Sequence, residues 1–167
     1  MPFARRNVTF ITMTGSRHHP IRLAVRGILM IDNCLLLVNA WPEGTSDLMC
    51  APGGGADPHS SLADNLIREF HEETGLGIAV GAPCLVNEFH DKRRDFHQVD
   101  VFFRVSLISG DPLQDWTDPE GIVTKRRLVR REQMADIPVK PDSLAEIAWG
   151  AVTLGGVFYD PLEPILR

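Results

Sequence analysis

Two apolar blocks stand near the start of the chain, "IRLAVRGILMI" (21–31) and "CLLLVNAW" (34–41). Both are partly β-branched, and the "DN" between them at 32–33 is a two-residue turn signal, so the pair predicts a β-hairpin. "PEGTSDLMCAPGGGADPHSS" (42–61) is dense in turn formers and predicts loop. From residue 62 the period changes. Leu62, Ala63, Leu66, Ile67 and Phe70 recur at helical spacing, Ser61 and Asp64 form an S-x-x-D cap, and Gly75 suits the left-handed residue that ends a helix. A helix over 62–74 follows, about three and a half turns long.

Beyond it, "IAVGAPCLVNEFH" (78–90) and "HQVDVFFRVSLI" (97–108) flank the polar "DKRRDF" and predict a second hairpin. Val99, Val101, Phe103, Val105 and Leu107 alternate with more polar neighbours, as in a half-buried strand. "SGDPLQDWTDPEG" (109–121) reads as loop, "IVTKRRLV" (122–129) as a short strand and "PDSLAEIAWGAV" (141–152) as a second helix. Residues 1–20, with "VTFITM", predict an N-terminal arm or edge strand. No internal repeat or low-complexity linker interrupts 1–167, so one domain is expected. Strands, helix, strands and helix in that order predict an α/β (α+β) sandwich with a mixed sheet.

The helix raises a chemical question. In "REFHEETG" (68–75), Glu69, Glu72 and Glu73 fall at i, i+3 and i+4. Like charges at those spacings repel by a few tenths of a kcal/mol per pair, roughly. The acids span about 100° of arc beside the apolar stripe, at the edge of a packed face where a cleft can form. One reading is a solvated acidic edge with Arg68 paired to Glu72. The other is a hard divalent cation between the carboxylates, which relieves the repulsion and suits oxygen ligands and substrate phosphates. "PGGG" (52–55), just upstream, lets a ligand approach the backbone closely and favours the second.

Charge changes the picture little. A net charge of −5 and a pI near 5.6 disfavour stable nucleic-acid binding. Cys34, Cys50 and Cys84 form no CxxC pair, which argues against structural zinc and fits a reducing cytoplasm. No long apolar run follows the N-terminal arginines, so neither a signal peptide nor membrane association is expected.

The stretch "GGADPHSSLADNLIREFHEETGL" (54–76) resembles the signature box of the Nudix hydrolases, G-x5-E-x7-R-E-U-x-E-E-x-G-U. Gly54, Arg68, Glu69, Phe70, Glu72, Glu73, Gly75 and Leu76 match in register. Ser60 stands where the pattern has its first Glu, and His59 stands where glycine is frequent. The resemblance implies Mg²⁺-dependent hydrolysis, with Mn²⁺ as a substitute, of a pyrophosphate bond in a nucleoside diphosphate linked to another moiety. Nucleoside triphosphates, ADP-ribose-like sugars and dinucleoside polyphosphates are all in range. It implies Glu69 and Glu73 as principal metal ligands, Glu72 as a further ligand or water-orienting group, the Gly53 carbonyl as another ligand, and Arg68 as the residue that orients a glutamate. It also makes a homodimer a possible assembly. A nucleotide-sensing module without turnover and an isoprenoid diphosphate isomerase share the fold and remain open.

Such a site benefits from a further carboxylate outside the helix, either to complete the metal's shell or to take the proton from water. Glu120, in "DPEG" (118–121), is the candidate for that role, with Gly121 letting its loop turn inward, an ordinary exposed turn acid as the equal alternative and Glu88 as rival. Trp41 and Trp116 are weighed as base-stacking groups, "KRRLVRR" (125–131) as a phosphate-facing run, and His90 with His97 as a cross-strand pair.

Overall fold

The computed structural model describes residues 19–150, 156–160 and 162–164. The arm expected over 1–20 therefore lies, up to residue 18, outside the described residues. Among the described residues, eight strands and two α-helices follow in the order β1 (Arg22–Ile31), β2 (Cys34–Asn39), β3 (Met49–Cys50), α1 (Leu62–Thr74), β4 (Gly77–Asp91), β5 (Phe96–Ser109), β6 (Arg126–Arg130), α2 (Leu144–Trp149), β7 (Phe158–Tyr159) and β8 (Glu163–Pro164). A 3-10 helix over Arg131–Asp136 links β6 to the segment before α2.

Asp32 and Asn33 both take positive φ, 47° and 61°, the turn that matches the twist of two antiparallel strands. The β1–β2 pairing is confined to Met30–Leu35 and Ile31–Cys34. Each strand then takes another neighbour: β1 runs parallel to β5, and β2 pairs antiparallel with β3 and β6. β4 and β5 form the long hairpin, with His90 opposite His97, and β7 and β8 add to the outer edge of β4. The sheet is therefore mixed, as the order of elements predicts. Strand β3, helix Arg131–Asp136 and the two short terminal strands carry no sequence signal of their own.

Two apolar clusters cover the sheet. Leu66 and Phe70 of α1 pack on Val25, Leu29, Phe103 and Val105, and Leu144 and Ala148 of α2 pack on Ile28, Leu85 and Phe102. Each fully buried Leu or Phe contributes about 1.5–3 kcal/mol. The stripe of α1 is narrower than its sequence suggests, because Ile67 is 41% exposed while Asn65 and Thr74 are buried. Ser61 caps the helix by accepting the Asp64 N–H at 3.0 Å, and Gly75 ends it at φ 73°. No helix among the described residues is long and apolar enough to cross a membrane.

Candidate active site

The glycine loop is stitched to β1. Gly54 O accepts the Val25 N–H, Pro52 O accepts the Gly27 N–H, and the Ala56 N–H donates to Leu23 O. This pins Gly53 and Gly54 beneath the edge of α1. Gly53 sits at φ +137°, where a Cβ would come within 2.1 Å of Val25 O, so no other residue fits there. A Cβ on Gly54 would meet Glu69 Oε2 at 2.1 Å. The Glu69 carboxylate thus lies directly on the loop backbone. Glu73 Oε2 accepts the Gly53 N–H at 2.8 Å.

These two carboxylates are crowded. Burial, the largest influence, pushes the Glu73 carboxyl up to about 7, with Glu69 and Asp118 adding to the rise; the Arg26 charge and the Gly53 N–H pull the other way and lose. Burial also raises Glu69, aided by Glu72 and Glu120 and opposed by Arg68. Arg68 bonds Glu69 Oε1 at 2.9 Å and Glu72 Oε2 at 3.0 Å, and reaches Asp57 Oδ2 at 3.1 Å. These are charge-assisted bonds. Glu72 lies off the cavity wall, tied to Arg68.

Glu69, Glu73, Arg68 and Gly53 border a cavity of about 1000 Å³. Glu120 lines it too, close enough to Glu69 to raise its pKa. The Glu120 loop is held by buried Asp118, whose Oδ1 accepts the Glu120 N–H at 2.9 Å and whose Oδ2 accepts the Ile122 and Val123 N–H groups at 3.0 and 2.8 Å. Asn39 clamps the far side, accepting from Thr124 and Lys125 and donating to Trp41 O and Ile122 O. Gly121 takes φ 68°, consistent with the inward turn expected of it. Glu88 is elsewhere: it bonds His97 Nε2 at 2.9 Å and the Tyr159 hydroxyl, and does not line this cavity.

Other expectations divide. Trp41 lines the cavity, but Trp116 does not; its ring packs on Gly75 and His71, and its Nε1 donates to Glu72 O at 2.8 Å. The basic run 125–131 also lies off the cavity wall, with Arg126 bracing the end of α1 through Thr74 O. Ser60 is exposed, its carbonyl 3.5 Å from Asn65 Nδ2, whereas His59 takes φ 69°, which explains why glycine suits that position.

The residues that sequence reasoning missed are Arg26, Gln98, Asp100, Asn39 and Asp118. Arg26 Nη1 donates to the Gly53 carbonyl at 2.6 Å, and its Nε donates to Asp100 Oδ1 at 3.0 Å. Its signal was an arginine inside an otherwise apolar strand, since a buried charge requires a partner.

Among the described residues, no three acidic, histidine or cysteine side chains share one coordination sphere. The available donor set is mixed: Glu69 and Glu73 with the second lone pair of the Gly53 carbonyl, all hard oxygens. A cation there would offset the burial, and the lesser carboxylate repulsion, that raise both groups. One or two carboxylates completed by substrate phosphate is the usual Mg²⁺ arrangement, so the donors fit such an ion.

A family model described as NUDIX domain matches residues 20–149. The chain is 26% identical over 123 residues to diphosphoinositol polyphosphate phosphohydrolase 3-alpha of Homo sapiens, covering 71% of this chain and 72% of that protein. It is 29% identical over 93 residues to an ADP-ribose pyrophosphatase of Methanocaldococcus jannaschii, covering 56% and 54%. Among solved structures, a UDP-X diphosphatase superposes with a TM-score of 0.65 at 18% identity, over 87% of this chain and 70% of that one. A NUDIX hydrolase from Nitrosomonas europaea superposes at 0.64 with 17% identity, over 77% and 86%. At such identities the structural likeness shows a shared fold.

Proposed function

The chain belongs to the NUDIX hydrolase family, whose members split phosphoric anhydride bonds, and from that premise we propose that it hydrolyses the pyrophosphate bond of a nucleoside diphosphate linked to another moiety. The observation that carries this reading is the pair of crowded carboxylates, Glu69 and Glu73, lying on the Gly53–Gly54 backbone at the edge of a large cavity, with Glu120 nearby. Glu69, Glu73 and the Gly53 carbonyl would hold a divalent cation, with Glu72 as a further ligand or an aid in orienting water. Bound Mg²⁺ or Mn²⁺ supplies charge neutralisation at phosphate oxygens and makes water more acidic.

The chain's own residues do the rest. Arg68 fixes the rotamers of Glu69 and Glu72. Arg26, anchored by Asp100, fixes the Gly53 carbonyl. Glu120, presented by the Asp118-capped loop, takes the proton of the attacking water as general base. Positioning and charge neutralisation are what phosphoryl transfer requires. Ser60 is assigned a local role before α1 and none in the chemistry.

The test is a panel of ADP-ribose, dinucleoside polyphosphates, nucleoside triphosphates and an isoprenoid diphosphate, incubated with Mg²⁺ or Mn²⁺ and resolved by chromatography. Metal-dependent cleavage of a pyrophosphate bridge in one nucleotide class is expected. Tight nucleotide binding without turnover would instead mark a sensor. Rearrangement of the isoprenoid diphosphate without loss of phosphate would mark an isomerase.

A further inference from the structure

Most of the basic side chains that line the cavity are already matched to acids. Arg26 is held by Asp100 at 3.0 Å and Arg68 by Glu69 and Glu72. Lys140 lies 2.9 Å from Asp142 and also bonds Glu163. Arg94 pairs loosely with Asp91, at 3.8 Å. Arg22 differs: among the described residues its partner is the neutral Gln98, whose Oε1 accepts from Nη1. A guanidinium carries five N–H donors in a planar fork suited to phosphate. Here the rest of that fork has no protein acceptor among the described residues.

Arg22 is also held in place. Its Nη2 lies over the glycine loop, where a Cβ on Gly55 would come within 2.8 Å of it. Gln98 is buried, and its Nε2 donates to Asp100 Oδ2 at 2.8 Å. A continuous chain of bonds thus runs from Arg22 through Gln98, Asp100 and Arg26 to the Gly53 carbonyl. The cation without an acid is tied to the backbone on which Glu69 lies.

We propose that Arg22 binds the non-bridging oxygens of the substrate's diphosphate, and that this positioned cation, the one on the cavity wall without an acidic partner among the described residues, limits the cavity to substrates carrying a single diphosphate. The proposal rests on the hydrolase reading above and narrows it. A ring phosphorylated at many positions brings about −1.5 to −2 charges per monoester. It would meet Glu69, Glu73 and Glu120 with no further unmatched arginine on the cavity wall, among the described residues, to answer it. Trp41, Phe89 and Phe96 on the same wall offer apolar surface to an uncharged ring.

The experiment is calorimetric binding, in Mg²⁺ at moderate ionic strength, of α,β-methylene-ADP and of inositol hexakisphosphate to the parent, Arg22→Gln and Arg22→Lys, with KM and kcat measured on any nucleotide that turns over. The expected result is that the parent prefers the methylene-ADP. Arg22→Gln should weaken it about 10- to 100-fold and raise KM more than it lowers kcat. Arg22→Lys should recover part of the affinity, since it restores charge without the fork. Unchanged methylene-ADP affinity in folded Arg22→Gln, no binding by the parent, or tighter binding of inositol hexakisphosphate would overturn the proposal. Arg22-dependent binding with no hydrolysis of any nucleotide would uphold it and sink the hydrolytic reading. Hydrolysis with a KM indifferent to Arg22 would do the reverse.

Discussion

Glu73 and Glu88 are both partly covered carboxylates, and the fold treats them in opposite ways. Glu88, on β4, receives the Tyr159 hydroxyl and faces His97 Nε2 at 2.9 Å; those two bonds, Tyr159 first, hold its carboxyl below the usual carboxylate range. Glu73, on α1, has one backbone N–H at 2.8 Å and is pushed up to about 7, chiefly by burial. A carboxylate that serves the fold is satisfied by the fold. Glu73 is buried beside Glu69 and Asp118, an arrangement that costs stability until a positive charge arrives.

The sharpest way to break this contrast is to neutralise acids one at a time. Glu120→Gln should cost about a hundredfold in rate and remove the acidic limb of the pH–rate profile, as expected for loss of a general base, whereas Glu88→Gln should keep the parent's profile. If the two variants behave alike, Glu120 is only a turn residue. Glu73→Gln should lose at least about tenfold, about 1.4 kcal/mol of barrier, because it removes a full charge from the cation's donor set. A folded Glu73→Gln as active as the parent would remove Glu73 from that set.

Stability against pH sharpens the contrast, because the signs differ. In chelator, native Glu73 holds a proton that the unfolded chain has released between the ordinary carboxylate pKa and about 7. The native state then binds more protons, so stability falls as pH rises through that window. Melting from about pH 5 to about pH 7.5 should show a decline of a few degrees that Glu73→Gln flattens. Glu88 acts the other way: its stabilisation is present above the unfolded pKa and lost as pH falls through its lowered folded value. Glu88→Gln should therefore lower melting at neutral pH and remove the decline on the acid side, where parent and variant converge.

The smallest effect belongs to Ser60. It is exposed and touches none of the acids, so Ser60→Ala should shift stability by no more than about 1 kcal/mol and leave the rate within a few-fold. A hundredfold loss of rate with unchanged melting would give Ser60 a role that its position does not suggest.

Much of this was legible in the chain. The limits of α1 followed from Ser61, the apolar period and Gly75, and the first hairpin from Asp32 and Asn33, because local chemistry decides those features. The acids at the edge of a packed face could be read from helical geometry. What could not be read is what parallel pairing brings together. Asp100 meets Arg26 only because β1 lies beside β5, 74 residues away in sequence. Asn39 reaches Thr124 and Lys125 across a similar span. Trp116, weighed as a base-stacking group, is a brace for α1, and a lone aromatic carries no directional information to decide between the two.

The central claim is that Glu69 and Glu73, laid on the Gly53–Gly54 backbone, hold a divalent cation without which the pyrophosphate bond is not cut. Titrating chelator-stripped protein with Mg²⁺ while following turnover of the preferred nucleotide tests it most directly. The account predicts no turnover at the start, a saturable rise with added Mg²⁺, and a rise displaced to higher concentration in Glu73→Gln. Full turnover in the chelator-stripped protein would contradict it.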